Sequence, residues 1–338
     1  MPVIAVDAMG GDFAPEEIVK GVARASLSTA IECVLVGDEG RIQAVLDSVS
    51  YDPAHISIRH AGEMIGMDEA PKEALRAKRE ASIVVAAGLV ADGRAEALVS
   101  AGNTGACILA CARQFRTIKG IRKTALASVY PRQTEYPGQD QLALLLDVGA
   151  TIRCDALELV QFAVMGSAYA RRVSKVVRPR VGLLNMGAEE FKGGEVLSEA
   201  YRRLKALPGI DFVGNIEGND VAKGRADVIV CEGLIGNIVL KLIEGVAEVV
   251  TDVASTAVKR RLIWRLGMAL LSRGIREIAH LADYTKYGGA PLLGFERIFI
   301  KAHGRSTAHA IENAVKVAAK AVRDGVAQEI AAGIQAIR

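Results

Sequence analysis

The amino-acid sequence predicts an α/β fold, with a mostly parallel sheet and helices on both of its faces. Short apolar segments alternate with helix-forming segments along the chain, which is the pattern of strand–helix–strand units. Apolar residues make up 51% of the 338 residues, enough to bury a sheet on both faces in one large domain. Five apolar segments run into Gly- or Asn-containing loops that begin a helix: residues 3–8, 97–100, 181–184, 228–231 and 298–301.

The first part of the chain is predicted to contain strand–helix units. Residues 3–8 form the first strand. A helix begins at Pro15, because Pro suits the first turn and the two Glu residues that follow suit the positive end of the helix dipole. Residues 33–36 and 56–59 are predicted as strands with a helix between them, and residues 72–91 as one continuous helix.

The middle of the chain departs from this pattern before returning to it. Residues 116–141 carry Pro131 and Pro137 and are predicted as a long loop. Residues 142–147 are almost entirely Leu, as expected of a strand that is covered on both faces. The remaining predicted elements are a helix at 155–172, a strand at 181–184, a helix at 195–206, strands at 210–213 and 228–231, a long helix from about residue 238, a strand at 298–301 and a C-terminal helix.

A basic segment at 259–283 is predicted to form an amphipathic helix or a helical hairpin. On a helical wheel its apolar side chains, such as Leu266, lie opposite arginines such as Arg265. We place it in a protruding segment, residues 241–284, of a single domain that spans 1–338. The pattern suits an anionic membrane surface, and it equally suits an ordinary helix packed in a dimer.

Charge and composition argue against several classes of function. Lys and Arg total 42 against 39 Asp and Glu, a near-balance that argues against a general nucleic-acid-binding protein. The five cysteines lie in apolar surroundings and are predicted to be reduced residues of a cytosolic protein. No spacing of Cys and His indicates a metal site, and no cofactor is predicted. Neither a signal peptide nor a membrane span is expected.

Three motifs of other enzyme classes are missing from the sequence. The GxSxG turn of acyl-serine hydrolases is absent, and so is the GxxxxGK[ST] loop that cradles nucleotide phosphates. No GxGxxG follows the first predicted strand, which argues against a dinucleotide enzyme.

The glycine-rich loops predict a phosphate-sized anion as the ligand. We expect these loops to meet at one carboxyl edge of the sheet, where glycine lets backbone N–H groups approach a ligand and a helix start favours negative charge. The two carboxylates among them would orient lysine side chains or cap a helix. The predicted binding residues are Asp7, Gly10, Gly11, Asp12, Gly102, Asn103, Thr104, Gly105 and Gly236.

Four polar residues in or beside these loops are the candidates for catalysis. Lys192 lies among glycines and Lys301 ends a predicted strand, so either could supply a cation, although a solvated lysine is the plain alternative. Asn237 could polarise a carbonyl or only cap a helix. His303 follows a strand end and precedes a glycine, which favours a role in proton transfer over the structural role of most histidines.

Taken together, these segments resemble the PlsX family of phosphate:acyl-acyl carrier protein acyltransferases. The matching segments keep their order over nearly the whole chain, which is more specific than any single loop. Thr151 differs, because the family usually has Asn after Val-Gly-Ala, so an amide role is not expected there. The matching segments are AVDAMGGD at 5–12, SAGNTGA at 100–106, LLDVGA at 145–150, FAVMGS at 162–167, GNIEG at 214–218, GNIVLK at 236–241, YGGAPLLG at 287–294 and IKAHG at 300–304.

The resemblance implies a cytosolic enzyme with the fold shared by phosphotransacetylases and the isopropylmalate dehydrogenase group. It implies that a long acyl chain moves from acyl-acyl carrier protein to inorganic phosphate. The acyl phosphate would pass to a glycerol-3-phosphate acyltransferase for phospholipid (phosphatidic acid) synthesis. A homodimer that attaches reversibly to an anionic membrane surface is implied as well, and the arginines of segment 259–283 would also suit the acidic carrier protein.

Two alternatives stay open on the sequence alone. One is a related enzyme, either a phosphotransacetylase-like transferase that uses coenzyme A thioesters or a decarboxylating dehydrogenase. The other is a non-catalytic scaffold at the membrane surface that keeps only the anion site.

Overall fold

The strands form one sheet in a computed structural model that describes residues 1–133, 142–260 and 288–337. The order across the sheet is β3-β2-β1-β4-β11-β10-β5-β6-β9-β7-β8. The strands are β1 (Val3–Asp7), β2 (Glu32–Gly37), β3 (Ile56–His60), β4 (Ala97–Ser100), β5 (Ala125–Pro131), β6 (Leu142–Leu146), β7 (Arg180–Leu184), β8 (Asp211–Ile216), β9 (Val228–Val230), β10 (Ala290–Leu293) and β11 (Ile298–Lys301).

Helices cover both faces of this sheet. Side chains alternate along the buried strands, so that Ile4 and Val6 of β1 belong to one apolar cluster and Ala5 to the other. The α/β fold with helices on both faces is as predicted. The helices are α1 (Glu16–Ser28), α2 (Glu39–Leu46), α3 (Pro71–Ala77), α4 (Ser82–Ala91), α5 (Thr104–Gln114), α6 (Ala156–Arg172), α7 (Gly194–Ala206), α8 (Gly233–Arg260), α9 (Ala308–Arg323) and α10 (Val326–Gln335), with a short 3-10 helix at Gly218–Lys223.

The sheet contains two groups of parallel strands that run in opposite directions. The first group is β3-β2-β1-β4-β11, and the second is β6-β9-β7-β8. Between them β10 pairs antiparallel with β11 and with β5, and β5 pairs antiparallel with β6. Three antiparallel steps reverse the direction, so the carboxyl ends of the two groups lie at opposite edges. The expectation that all the glycine-rich loops meet at one edge is therefore wrong.

The two strands that cause this reversal were not predicted. Strand β5 lies inside residues 116–141, which were predicted as a loop because of their prolines, and β10 was not predicted as a strand. Pro131 is the last residue of β5 and pairs with Leu142. A Pro at the end of a strand costs less than one in its middle, so it does not exclude the strand.

Several predicted helices also differ in their limits. Residues 72–91 form two helices, α3 and α4, rather than one. Helix α8 begins at Gly233, five residues before the predicted start. The C-terminal helix is divided at Gly325, whose φ of 67° lies in the left-handed region that glycine adopts without strain.

The basic amphipathic segment lies almost wholly outside the described residues. What the structure describes of segment 241–284 is the remainder of α8, up to Arg260. Its apolar side chains Leu242, Val249 and Val253 are 65%, 62% and 64% exposed. In the described parts of the chain, no helix is both long enough and apolar enough to span a membrane.

Candidate functional site

A cavity of about 610 Å³ lies over β5 and β10, between α5 and α8. Its volume is in the range of small-molecule sites. One end is formed by the first parallel group, through the start of α5 and the loop after β11. The other end is formed by the second group, through Gly149 and the start of α8. The cavity therefore lies between loops that follow strands of the first group and loops that follow strands of the second group.

Six of the thirteen predicted site residues line this cavity: Asp12, Thr104, Gly105, Asn237, Lys301 and His303. The other seven are not among its lining residues: Asp7, Gly10, Gly11, Gly102, Asn103, Lys192 and Gly236. The roles predicted for all thirteen in binding and catalysis stay predictions.

The first end of the cavity carries donors suited to an anion. Thr104 and Gly105 are the first two residues of α5, where backbone N–H groups have no partner within the helix and the dipole is positive. The loop after β11 is held against the first loop of the chain, since the Asp12 N–H donates to the Gly304 carbonyl at 2.9 Å. An anion at this end would face a helix start and a lysine together.

That lysine is Lys301, which is only 7% exposed although it lines the cavity. Its Nζ donates to the carbonyl of Ala302. Burial lowers the pKa of Lys301 below its ordinary value, and the nearby Cys107, Asp7 and Asp12 act in the opposite direction. When protonated, the side chain is a cation that has little water around it.

Asp7 lies behind the cavity rather than in its wall, and it is 2% exposed. Its carboxylate accepts hydrogen bonds from the Ser82 hydroxyl at 2.6 Å and the Ser100 hydroxyl at 2.7 Å. Burial raises its pKa, while these hydroxyls oppose the rise. The same carboxylate accounts for the need for glycine at position 10, because a Cβ on Gly10 would collide with Asp7 Oδ2. Asp7 therefore supports the loops from beneath.

The side chain of Asn103 is engaged within the fold. Its Oδ1 caps α5 by accepting from the Ala106 N–H at 3.1 Å. Its Nδ2 donates to the carbonyls of Met67 and Glu69 at 3.0 and 3.1 Å. Asn103 thus joins α5 to the loop that carries Met67, a residue of the cavity wall.

The hydrogen bonding of His303 indicates its tautomer. Its Nδ1 accepts from the Arg305 N–H at 3.2 Å, so the proton of the neutral ring is assigned to Nε2. The ring is exposed and lines the cavity. His303 can therefore offer an N–H donor to a ligand from Nε2.

At the second end, Asn237 lies in the second turn of α8 and does not cap it. This corrects the possibility that it is only an N-cap. A Cβ built on Gly149 would lie 3.8 Å from Asn237 Oδ1, so the amide stands beside the Gly149 backbone. Gly236 packs on the end of β6, because a Cβ there would collide with the Asp147 carbonyl.

Lys192 lies in the loop after β7, where its carbonyl accepts from Asn185 Nδ2 at 2.9 Å. Its Nζ is 5.6 Å from the centroid of the Phe191 ring. Because β7 and β9 are parallel neighbours, this loop shares a sheet edge with the start of α8 and Asn237.

One residue that the sequence analysis did not select is buried directly beneath the second end. Asp147 is fully buried, and its carboxylate accepts four backbone N–H groups. Burial raises its pKa, and these N–H groups act in the opposite direction. The signals in the sequence were a carboxylate after an almost all-Leu strand and its place in the segment LLDVGA, which matches the family. Within the described residues, no group of three or more His, Cys, Asp or Glu side chains could hold a metal ion.

Comparison with solved structures places the chain in the phosphotransacetylase-like class of α/β folds. A phosphotransacetylase from Streptococcus pyogenes matches with a TM-score of 0.65 at 17% identity, over 95% of this chain and 94% of that one. A 4-hydroxythreonine-4-phosphate dehydrogenase from Klebsiella pneumoniae matches with a TM-score of 0.50 at 16% identity, over 97% and 99% of the two chains. The fold class predicted from the resemblance is confirmed.

Sequence comparison then identifies the family. The profile of a family described as "Fatty acid synthesis protein" matches residues 3–329. A protein from Dictyoglomus turgidum named "Phosphate acyltransferase" is 42% identical over 335 residues, which are 99% of this chain and 98% of that one. The chain belongs to this family, the PlsX family, and it is an acyltransferase.

Proposed function

We propose that this acyltransferase moves a fatty acyl group from acyl-acyl carrier protein to inorganic phosphate, giving acyl phosphate and the free thiol of the carrier. The observation that carries the proposal is the cavity itself. A helix start and a buried lysine stand at one end, and an apolar floor and an amide follow within the same cavity. A phosphate and a thioester can be held there side by side.

Phosphate binds at the first end in this proposal. The N–H groups of Thr104 and Gly105 and the ammonium of Lys301 provide its donors. Fixing a phosphate oxygen near the thioester carbon replaces a bimolecular encounter with an intramolecular one. The Nε2–H of His303 donates a hydrogen bond to the phosphate or to the departing sulfur.

The acyl group lies over the apolar floor between the two ends. Ile108, Leu126 and Leu240 line this part of the cavity, and their side chains suit a hydrocarbon chain. Asn237 at the second end polarises the thioester carbonyl and stabilises the oxyanion that forms there.

The bonds and protons balance with these groups alone. An oxygen of hydrogen phosphate attacks the carbonyl carbon, a C–O bond forms, and the C–S bond breaks. The proton that the phosphate loses ends on the thiolate. Lys192 is kept in the proposal as a second cation, because its loop lies at the sheet edge from which α8 enters the cavity wall.

The finer properties that the family resemblance implies belong to the same proposal. We propose a cytoplasmic homodimer that attaches reversibly to anionic membranes and delivers acyl phosphate to a glycerol-3-phosphate acyltransferase. The exposed apolar side chains of α8 support a surface of this kind. Sedimentation equilibrium tests the dimer, and co-sedimentation with anionic vesicles tests the membrane attachment.

The reaction is tested by measuring thiol release and hydroxylamine-trapped acyl phosphate with and without orthophosphate. We expect phosphate-dependent turnover with acyl-acyl carrier protein and much slower turnover with acyl-coenzyme A. The reverse preference would favour the phosphotransacetylase-like alternative, and no turnover with either thioester would favour the scaffold.

The catalytic roles are tested by substituting Lys192, in the loop after β7, and His303, in the loop after β11. Lys192→Ala and His303→Ala should each lower kcat at least about tenfold in folded protein. His303→Gln should keep more activity than His303→Ala, because its amide restores an N–H donor near the position of Nε2. If both alanine variants keep near wild-type rates, the assignment of these roles is wrong.

A further inference from the structure

Asp147 organises the turn that follows β6. Its Oδ1 accepts from the N–H groups of Leu126, Gly149 and Ala150 at 2.9, 3.1 and 3.0 Å. Its Oδ2 accepts from the N–H of Thr151 at 2.7 Å. A buried carboxylate that accepts four backbone N–H groups fixes the path of the main chain, and the buried N–H of Leu126 would otherwise lack a partner.

A second link runs from this turn to α8. The hydroxyl oxygen of Thr151 accepts from the N–H of Gly233, the first residue of α8, at 3.1 Å. Strand β9, which leads into α8, is also tied to this point: Asp147 N donates to the Cys231 carbonyl at 3.0 Å. The helix start thus rests on the turn through side-chain and main-chain bonds.

Two glycines let the helix approach this closely. A Cβ on Gly233 would lie 2.5 Å from Asp147 Oδ2, and a Cβ on Gly236 would collide with the Asp147 carbonyl. Both are closer than real Cβ contacts, so larger residues would push α8 away. Asn237 follows directly and stands beside Gly149, which belongs to the same turn.

We propose that Asp147 and Thr151 are positioning residues, which hold the start of α8 so that the Asn237 amide meets the reacting carbonyl. This rests on the proposed function, in which Asn237 stabilises the oxyanion. A displacement of about 1 Å at a reacting group can cost on the order of a hundredfold in rate. The hydroxyl of Thr151 is the link that can be removed with the least change in shape.

The test is a double-mutant cycle between Thr151 and Asn237. Thr151→Val removes the hydroxyl at nearly constant volume, Thr151→Ser keeps it, and Asn237→Ala removes the amide. Thr251→Val is the matched control, because the Thr251 hydroxyl donates to the Ala247 carbonyl of its own helix, at an exposed site. Rates are measured with acyl-acyl carrier protein over a range of phosphate concentrations.

We expect Thr151→Val to lower kcat about fivefold to tenfold with little change in the KM for phosphate, because the hydroxyl loses its bond to the Gly233 N–H and its weaker contact with Cys154 Sγ. Thr151→Ser and Thr251→Val should stay within about twofold of wild type. In the Asn237→Ala background, Thr151→Val should have almost no further effect on kcat. An equal fall in both backgrounds, or no fall in either, would overturn the proposal.

Hydrogen exchange provides a readout that does not depend on turnover. Amides of residues 231–238 should exchange faster in Thr151→Val than in wild type, Thr151→Ser or Thr251→Val, since the Gly233 N–H has lost its acceptor. Unchanged exchange in that segment would contradict the link to α8. Absence of phosphate-dependent turnover in the wild type would instead contradict the proposed function, and the exchange result would still decide the link.

Discussion

Two buried aspartates stand at the two ends of the cavity, and they are held in different ways. Asp7 ends β1 in the first parallel group, and Asp147 follows β6 in the second. Each makes a close contact with a glycine, Gly10 in one case and Gly233 in the other. The carboxylate of Asp7 is bonded mainly to serine hydroxyls, whereas that of Asp147 is bonded to backbone N–H groups.

The two sets of donors differ in whether they can reorient when the carboxylate is replaced by another group. A hydroxyl can rotate, and it can accept as well as donate a hydrogen bond. A backbone N–H can only donate, and its direction is set by the chain. The first end should therefore adapt to a change beneath it, and the second end should not. This comparison separates a supporting carboxylate from one that determines the local main-chain path.

The largest expected effect is on stability. Asp147→Asn places an amide NH₂ where one oxygen accepted backbone N–H groups, so at least one buried donor loses its partner. We expect a loss of about 2–4 kcal/mol in the free energy of unfolding. Asp7→Asn is the matched change at the first end and should cost only about 1 kcal/mol, because the Ser82 hydroxyl, which donates to Asp7 Oδ1, can turn to accept the new N–H. Urea denaturation of both variants measures the difference. An equal or larger loss for Asp7→Asn would break the comparison.

A second prediction concerns the cation at the first end. Burial lowers the pKa of Lys301, so its ammonium is lost at a lower pH than that of an ordinary lysine. The KM for phosphate should therefore rise about tenfold as pH increases through that lowered pKa. Lys301→Met should raise the KM at neutral pH and remove the alkaline rise.

Stability provides the control for this pH dependence. In the same pH range the unfolded chain keeps its lysine proton while the folded chain releases it. Lys301 then contributes stability that rises with pH, opposite in sign to its effect on phosphate binding. Urea denaturation at each pH shows whether unfolding accounts for the loss. A wild-type KM that stays flat through the alkaline range would contradict the role of Lys301.

The smallest expected effect is on the preference for acyl-chain length, which we assign to the apolar residues between the two ends of the cavity. Ile108 of α5 is half-buried in the cavity wall, so Ile108→Phe should fill space that a long acyl chain needs. The ratio of the rate with a long chain to the rate with a short chain should fall by up to about tenfold, the lower end of the discrimination that one methylene provides in an apolar pocket. Val213→Phe, at an exposed site on β8, is the control. A fall that is equal for all chain lengths would place the acyl chain elsewhere.

Much of the fold could be predicted from local patterns. The five glycine-terminated segments are strands, and the helix at 155–172 begins one residue later, with a capping box formed by Asp155 and Glu158. These features depend on residues that are close in sequence. The direction of the second group could not be predicted, because it depends on pairing of β5 with β6 and of β10 with β5, which local patterns do not record.

The same limit applies to the site. Thr104, Lys301 and His303 were predicted from loops that follow strands of one group, and the structure brings them to one end of the cavity. Asp147 was missed, because its carboxylate acts by accepting N–H groups from Leu126, on another strand, and from the turn that follows Asp147 itself. A lone aspartate after a strand does not indicate such a cluster.

A crystal structure of the protein grown with orthophosphate tests the central claim most directly. We predict an anion at the first end of the cavity, held by the start of α5 at Thr104 and Gly105 and within reach of Lys301 and His303. An anion bound only outside the cavity, or an empty first end in crystals of enzyme active at that phosphate concentration, would contradict the account.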